Sequence, residues 1–122
     1  ILEIIKGGPK QFQIVLYTIF LLSERRGKGF VNFQGTLSPG KATPFFTGDV
    51  YNLYQKICET NKIEALTQRR VGDIIQEFDM HGILNVRVIS KGRWGRMREI
   101  NLAISNDIVN KAKKILEESL NY

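Results

Sequence analysis

Between Leu66 and Leu102 the spacing of the apolar residues changes period, and cations stand on both sides of the change. Val71, Ile74, Ile75 and Phe78 recur at helical spacing, which puts them on one face of a helix with 3.6 residues per turn. From Ile83 the spacing shortens to two. Val86 and Val88 fall on one side, Arg87 and Ile89 on the other, and residues 99–104 return in strict alternation. β-Branched residues at that period predict strands. Counting about 100° per residue from Val71, the positions most opposed to the apolar stripe are Arg69, Asp73, Gln76 and Met80, with Gln68 and Arg70 at the sides of the first turn. Thr67 suits the N-cap and Gly82 the left-handed residue after the helix end, while His81 stands where a cation favours the dipole. A helix that starts on cations, followed by a hairpin with a cationic tip, is the working half of a winged helix-turn-helix. The other segments are expected to hold this pair at a fixed angle.

The loop of that hairpin, read as residues 90–98, carries Lys91, Arg93, Arg96 and Arg98 and no acid before Glu99. Like charges this close repel, so a loop without an anionic partner has little structural reason to gather them. Phosphate contact gives such a loop a use, and Arg can also enter a minor groove. Gly92 and Gly95 allow a tight turn, and Trp94 could pack on a sugar–phosphate edge or on the body of the domain. On the helix, Gln68, Arg69 and Arg70 lead, with Asp73 and Gln76 further along. A helix N-terminus in a major groove lets Arg read guanine and Gln read adenine, at about 1–3 kcal/mol per bidentate pair. The plain alternatives are a solvated basic hairpin tip and arginines paired with Asp73 or Asp79. Two cationic clusters on adjacent elements favour duplex DNA.

The remaining chain reads as support. Gly7-Gly8-Pro9 separates a short apolar start from residues 12–22, whose Phe12, Val15, Leu16, Ile19 and Leu22 keep helical spacing while Ile14, Tyr17, Phe20 and Leu21 add a second apolar side. A helix this apolar is covered on more than one face, so it is the core helix. Residues 23–46 are rich in turn residues and read first as a long mobile loop, otherwise as an insertion that orders on a partner, with a short strand at residues 30–33 as a candidate third strand of the sheet. Thr47 is placed as the N-cap of the next helix, with Asp49 in its first turn and a stripe of Val50, Leu53, Tyr54 and Ile57. Ser105 or Asn106 caps a last helix with Ile108, Ala112, Ile115, Leu116 and Leu120 on one side and Lys111, Lys113 and Lys114 flanking. The expected fold is mainly α with a small antiparallel sheet (α+β), a single winged-helix domain over residues 1–122.

Composition narrows the function classes. Eighteen Lys+Arg against twelve Asp+Glu give a formal +6, which permits a polyanionic partner. A lone Cys58, in a helical apolar pattern, leaves neither an internal disulfide nor a multi-cysteine metal site. One histidine gives no paired-His metal motif and no triad, and Gly27-Lys28-Gly29 lacks the context of a phosphate-binding loop. No catalysis is expected of this chain. Residues 12–22 are about half the length that crosses a bilayer, and no signal peptide is legible. The chain opens on Ile1 rather than Met, as a piece of something longer would.

Three segments carry a resemblance: residues 47–54 (TGDVYNLY), 66–75 (LTQRRVGDII) and 84–96 (LNVRVISKGRWGR). Together the chain resembles the C-terminal winged-helix domain of the archaeal replication-origin initiators, the family related to the eukaryotic origin recognition complex and its cell-division-control partner. That resemblance implies a preceding AAA+ ATPase portion that binds ATP and magnesium, with no cofactor in this fragment. It implies binding of double-stranded origin DNA through a recognition helix at residues 67–81 and a basic wing at 90–98. Gln68, Arg69 and Arg70 carry over on the helix, and Lys91, Arg93, Trp94 and Arg96 on the wing. Thr67, Asp73 and Arg98 complete the candidate site from the residue reading. Contact with the replicative helicase or other initiator subunits, and a cytoplasmic, nucleoid-associated place in an archaeal cell, are further implications. The fragment is expected to be monomeric and to bind no membrane. Residues 26–46 exceed the length expected between the first two helices. A winged-helix transcription regulator, or a winged helix used for protein–protein contacts, are the alternatives.

Overall fold

The computed structural model describes residues 7–27, 45–90 and 96–120. Its first element, α1 (Lys10–Gly27), is the core helix, with every residue from Gln13 to Phe20 buried. Pro9 stands just outside it, its carbonyl accepting the Gln13 N–H at 3.1 Å. Burial on all sides forces α1's polar groups to find partners. The Thr18 hydroxyl donates to the Ile14 carbonyl at 2.7 Å, and Ser119 Oγ donates to Gln13 Oε1 at 3.1 Å. The helix runs past Leu22 into the stretch read as loop, because nothing from Ser23 to Arg26 breaks a helix. Glu24 there pairs with Lys113, which is held above its ordinary pKa by that carboxylate.

The third strand differs from the expectation. It is β1 (Phe45–Phe46), and the residue 30–33 segment lies outside the described residues, as does the loop assignment for 28–44. β1 passes without a linker into α2 (Thr47–Thr60), so the N-cap is Phe46, still extended at φ −123°, ψ 168°, and Thr47 is the first helical residue. The side chain that closes this end is Asp49, whose carboxylate accepts the Phe46 N–H at 2.9 Å. Helix α3 (Gln68–Met80) buries Val71, Ile74, Ile75 and Phe78, the expected stripe, and Phe78 meets Phe12 edge to face at 5.9 Å.

Helices α2 and α3 end in the same way. In each, the two residues after the cap donate back into the last turn: Lys62 to Glu59 (3.2 Å) and Ile63 to Cys58 (2.8 Å), then Gly82 to Asp79 (3.1 Å) and Ile83 to Phe78 (3.0 Å). The residue after each cap must adopt positive φ. Gly82 does so at 77°, and Lys62 does so at 55° against its side chain's preference.

Strands β2 (Leu84–Ser90) and β3 (Arg96–Leu102) pair antiparallel, and β1 lies on the other side of β3, giving the order β1-β3-β2. Leu84 opposes Leu102, Val86 opposes Ile100, and Ile100 also opposes Phe45, so one face carries the core residues. The strands run closer to the tip than expected. Ser90 pairs with Arg96 and Val88 with Arg98, which leaves residues 91–95 between them. Helix α4 (Asn106–Leu120), closed by Ser105 Oγ accepting the Ile108 N–H at 3.4 Å, buries Ala112 and Leu116 against α1. Cys58 is 1% exposed inside α2, and burial pushes its thiol up. No helix among the described residues is long and apolar enough to cross a membrane.

The connection from α2 to α3 is held by side chains rather than by its own turns. Tyr54 Oη accepts the Leu66 N–H at 2.9 Å and donates to Gln11 Oε1 at 2.6 Å. Tyr51 Oη donates to the Leu66 carbonyl at 3.1 Å, and Gln11 Nε2 donates to the Glu64 carbonyl at 3.1 Å. Burial pushes the Tyr54 phenol from 10.0 up to about 12. A phenol with a folded value above its unfolded one contributes fully at lower pH. Its contribution is lost as pH rises from 10.0 through about 12. Tyr54→Phe should therefore lower stability by about 1–2 kcal/mol near neutral pH, because two half-buried groups lose a partner. It should also flatten the alkaline fall across that window; urea unfolding at a series of pH values reads both.

Candidate nucleic-acid interface

The geometry of the candidate site follows from the two ends of α3. Thr67 caps its start, with Oγ1 accepting the Arg70 N–H at 3.3 Å, so Gln68, Arg69 and Arg70 form an exposed first turn. The buried stripe then leaves Asp73, Gln76 and Met80 outward, with Met80 79% exposed. This is the orientation expected from 100° per residue. Arg69, Arg70 and Asp73 form no ion pair among the described residues, so the pairing of these arginines with Asp73 or Asp79 is not made.

Facing α3 is the outer end of β3. Register carries the core face of the hairpin outward from Val86–Ile100 to Val88–Arg98, past the edge of the body, where Val88 is 60% exposed. Alternation thus puts Arg98 on the face whose inner positions pack on the helices. It lines an open cleft of about 610 Å³, with Gln68, Arg69, Gly72 and Asp73 along one wall and Thr47 and Tyr51 at the α2 end. Arg98, like Arg69, has no ion-pair partner among the described residues. Two unneutralised guanidinium groups and one carboxylate leave the cleft net positive, suited to an anionic backbone with donors to spare.

The structure therefore brings Gln68, Arg69, Asp73 and Arg98 to one concavity, and sets Thr67 and Arg70 beside it on the same turn. Arg98, read from sequence as part of the wing loop, is a strand residue, because β3 pairs with β2 through residue 96. Arg96 is likewise in the strand by its backbone, and Lys91, Arg93 and Trp94 lie outside the described residues. Sequence reasoning missed Thr47, Tyr51 and Gly72 as cleft residues. Thr47 reads as a cap, and Tyr51 lies just off the Val50–Tyr54 stripe. Gly72 did give a signal: an interior helical glycine costs about 0.8–1 kcal/mol against alanine, and none of the buried stripe explains it.

A three-helix core with a helix-turn-helix and a basic hairpin beside its second helix is a winged-helix domain of nucleic-acid-binding type. The family described as "CDC6, C terminal winged helix domain" matches residues 3–112, and the chain belongs to it. It is 44% identical over 104 residues to the ORC1-type DNA replication protein of Pyrococcus furiosus, covering 85% of this chain and 21% of that protein. It is 37% identical over 118 residues to ORC1-type DNA replication protein 1 of Methanosarcina mazei, covering 97% and 25%. The chain thus spans about a fifth to a quarter of the length of these relatives. Among solved structures, the Aeropyrum pernix ORC1 protein in complex with DNA superposes with a TM-score of 0.74 at 32% identity, covering 98% of this chain and 26% of that one. The Drosophila ORC bound to DNA shares the fold, with a TM-score of 0.62 at 15% identity.

Because α3's first turn lines the candidate cleft, its cap at Thr67 fixes how that turn is presented. Thr67→Ala is expected to lower stability by about 1 kcal/mol, with Thr67→Ser restoring most of it. Chemical denaturation monitored by far-UV circular dichroism checks the pair.

Proposed function

We propose that this chain binds double-stranded DNA at replication origins as the DNA-binding module of a larger replication initiator. In this reading α3 enters the major groove by its first turns, with Arg69 the foremost base reader and Thr67, Gln68, Arg70 and Asp73 around it. The hairpin, with Lys91, Arg93, Trp94, Arg96 and Arg98, grips the adjacent backbone. The observation that carries the reading is the cleft that Arg69 of α3 and Arg98 of β3 both line, neither in an ion pair among the described residues. The resemblance to an ORC1 protein solved in complex with DNA supports it. The chain's own role is binding rather than catalysis. An ATP- and magnesium-dependent portion, and contact with the helicase or other initiator subunits, belong to the longer protein in this proposal.

Contact with four to six phosphates gives a slope of about −4 to −5 in log affinity against log salt. A slope near zero on duplexes carrying the preferred site would sink the reading. Arg98→Ala should weaken binding to every duplex alike and make the slope shallower by about 1. Arg69→Ala should instead cost about 1–3 kcal/mol on the preferred site and less on random sequence. Equal losses on both duplexes would remove Arg69 as a base reader. Fluorescence anisotropy titrations at several salt concentrations, on a site selected from a random library, measure all three.

A further inference from the structure

Gly72, the fifth residue of α3, lines the same cleft as Arg69 and Arg98. A glycine inside a helix is usually there because a side chain would collide with something. Here it would not: a Cβ built on Gly72 meets nothing within 4 Å among the described residues. Neither is its backbone left-handed, since Gly82 is the glycine with positive φ among the described residues. The fold therefore carries a helix-weakening residue for which it has no internal use. The open space above it is the cleft, bounded by two guanidinium groups and the end of α2.

We infer that Gly72 is the floor of a seat for one strand's sugar–phosphate backbone, and that its missing side chain sets how closely the duplex approaches α3. The occupant follows from the lining. Arg69 on α3 and Arg98 on β3 have no ion-pair partner among the described residues, and Thr47 brings a hydroxyl. Arg98 and the Thr47 hydroxyl suit phosphate oxygens, while Arg69 on the first turn of α3 reaches past this seat toward base edges. The described wall is not aromatic apart from Tyr51, whose ring stacks on Tyr54. Deoxyribose is a bulky, partly apolar group, and bare helix backbone lets it come within van der Waals contact. The inference rests on the proposed DNA reading and adds a depth-setting residue to it.

Gly72→Ala separates folding from binding, because the two should move in opposite directions. Helix propensity should raise the Tm by about 3–5 °C. The added methyl should push the backbone outward and weaken binding on the order of tenfold. Gly72→Leu, still a good helix former, should weaken it further. The loss should be equal on the selected site and on a random duplex about two helical turns long, as a backbone contact requires. Full affinity for both duplexes in a thermally stabilised Gly72→Ala would overturn the inference while leaving the DNA reading intact. A loss confined to the selected site would overturn the backbone assignment in favour of base contact. Absence of salt-dependent duplex binding by the unsubstituted chain would instead overturn the DNA reading itself, and the inference with it.

Discussion

The backbone of Leu66 is gripped on both sides by tyrosines one turn apart on α2. Tyr54 takes its N–H and Tyr51 reaches its carbonyl, while the two rings stack at 6.1 Å. Everything at the cleft depends on this grip. The segment from α2 to α3 has no regular structure of its own beyond the closing bonds at Lys62 and Ile63. Its direction is therefore set by what holds Glu64 and Leu66. Gln11 of α1 holds the first, and Tyr54 ties that glutamine to the same cluster. The core helix, the first helix of the helix-turn-helix and the entry to the second are joined through a few polar atoms. Linked half-buried hydrogen bonds of this kind restrain the groups they join, which makes the angle between α2 and α3 a well-defined property rather than a loose one.

The hairpin is aimed by a different device. Its alternation assigns faces without any turn residue being consulted, and the pairing of Ile100 with both Phe45 and Val86 locks the register at the core. Once Ile100 is in, Arg98 must lie on the same face two residues out, toward α3. A slip of one residue would send it to the opposite face together with every apolar contact below it. The short β1 strand matters for that reason. Two residues contribute few hydrogen bonds, but Phe45 adds a buried ring against the strand that carries the cation.

Much of this could be read from the chain. The α3 stripe was legible because helical spacing has one solution for Val71, Ile74, Ile75 and Phe78, and the outward direction of Arg69 and Asp73 follows from it by rotation. The core helix announced itself by having apolar residues on more than one side. Its true end did not, because Ser23 favours caps and turns, turn residues follow from Gly27 onward, and the partner that holds Glu24 is 89 residues away. β1 was missed for a related reason: a two-residue strand has no periodicity to detect, and Phe45 is identified only by the partner it meets. Thr47 is a good cap by composition, yet a strand ran directly into the helix and moved the cap to Phe46. Lys62 is the same lesson in dihedral space, since a left-handed residue that is not glycine leaves no mark in the sequence. The cleft was legible as two separate cationic clusters, whereas their meeting across it depends on strand register and helix angle.

Stability and the candidate site are divided between opposite faces of α3. The inward face contributes the buried stripe and the edge-to-face contact of Phe78 with Phe12, whereas the outward face contributes exposed charge whose worth to folding is small. That division lets the outward residues answer to a partner without endangering the core. Gly72 and Tyr51 lie on the boundary, and they resolve it differently. Tyr51 lends its ring and hydroxyl to the turn and so enters the cleft as part of the scaffold. Gly72 gives up helix stability at a place where the scaffold gains nothing. A residue that weakens its own helix, and at which a Cβ would meet nothing within 4 Å among the described residues, is best understood from the cleft side, which Arg69 and Arg98 also line.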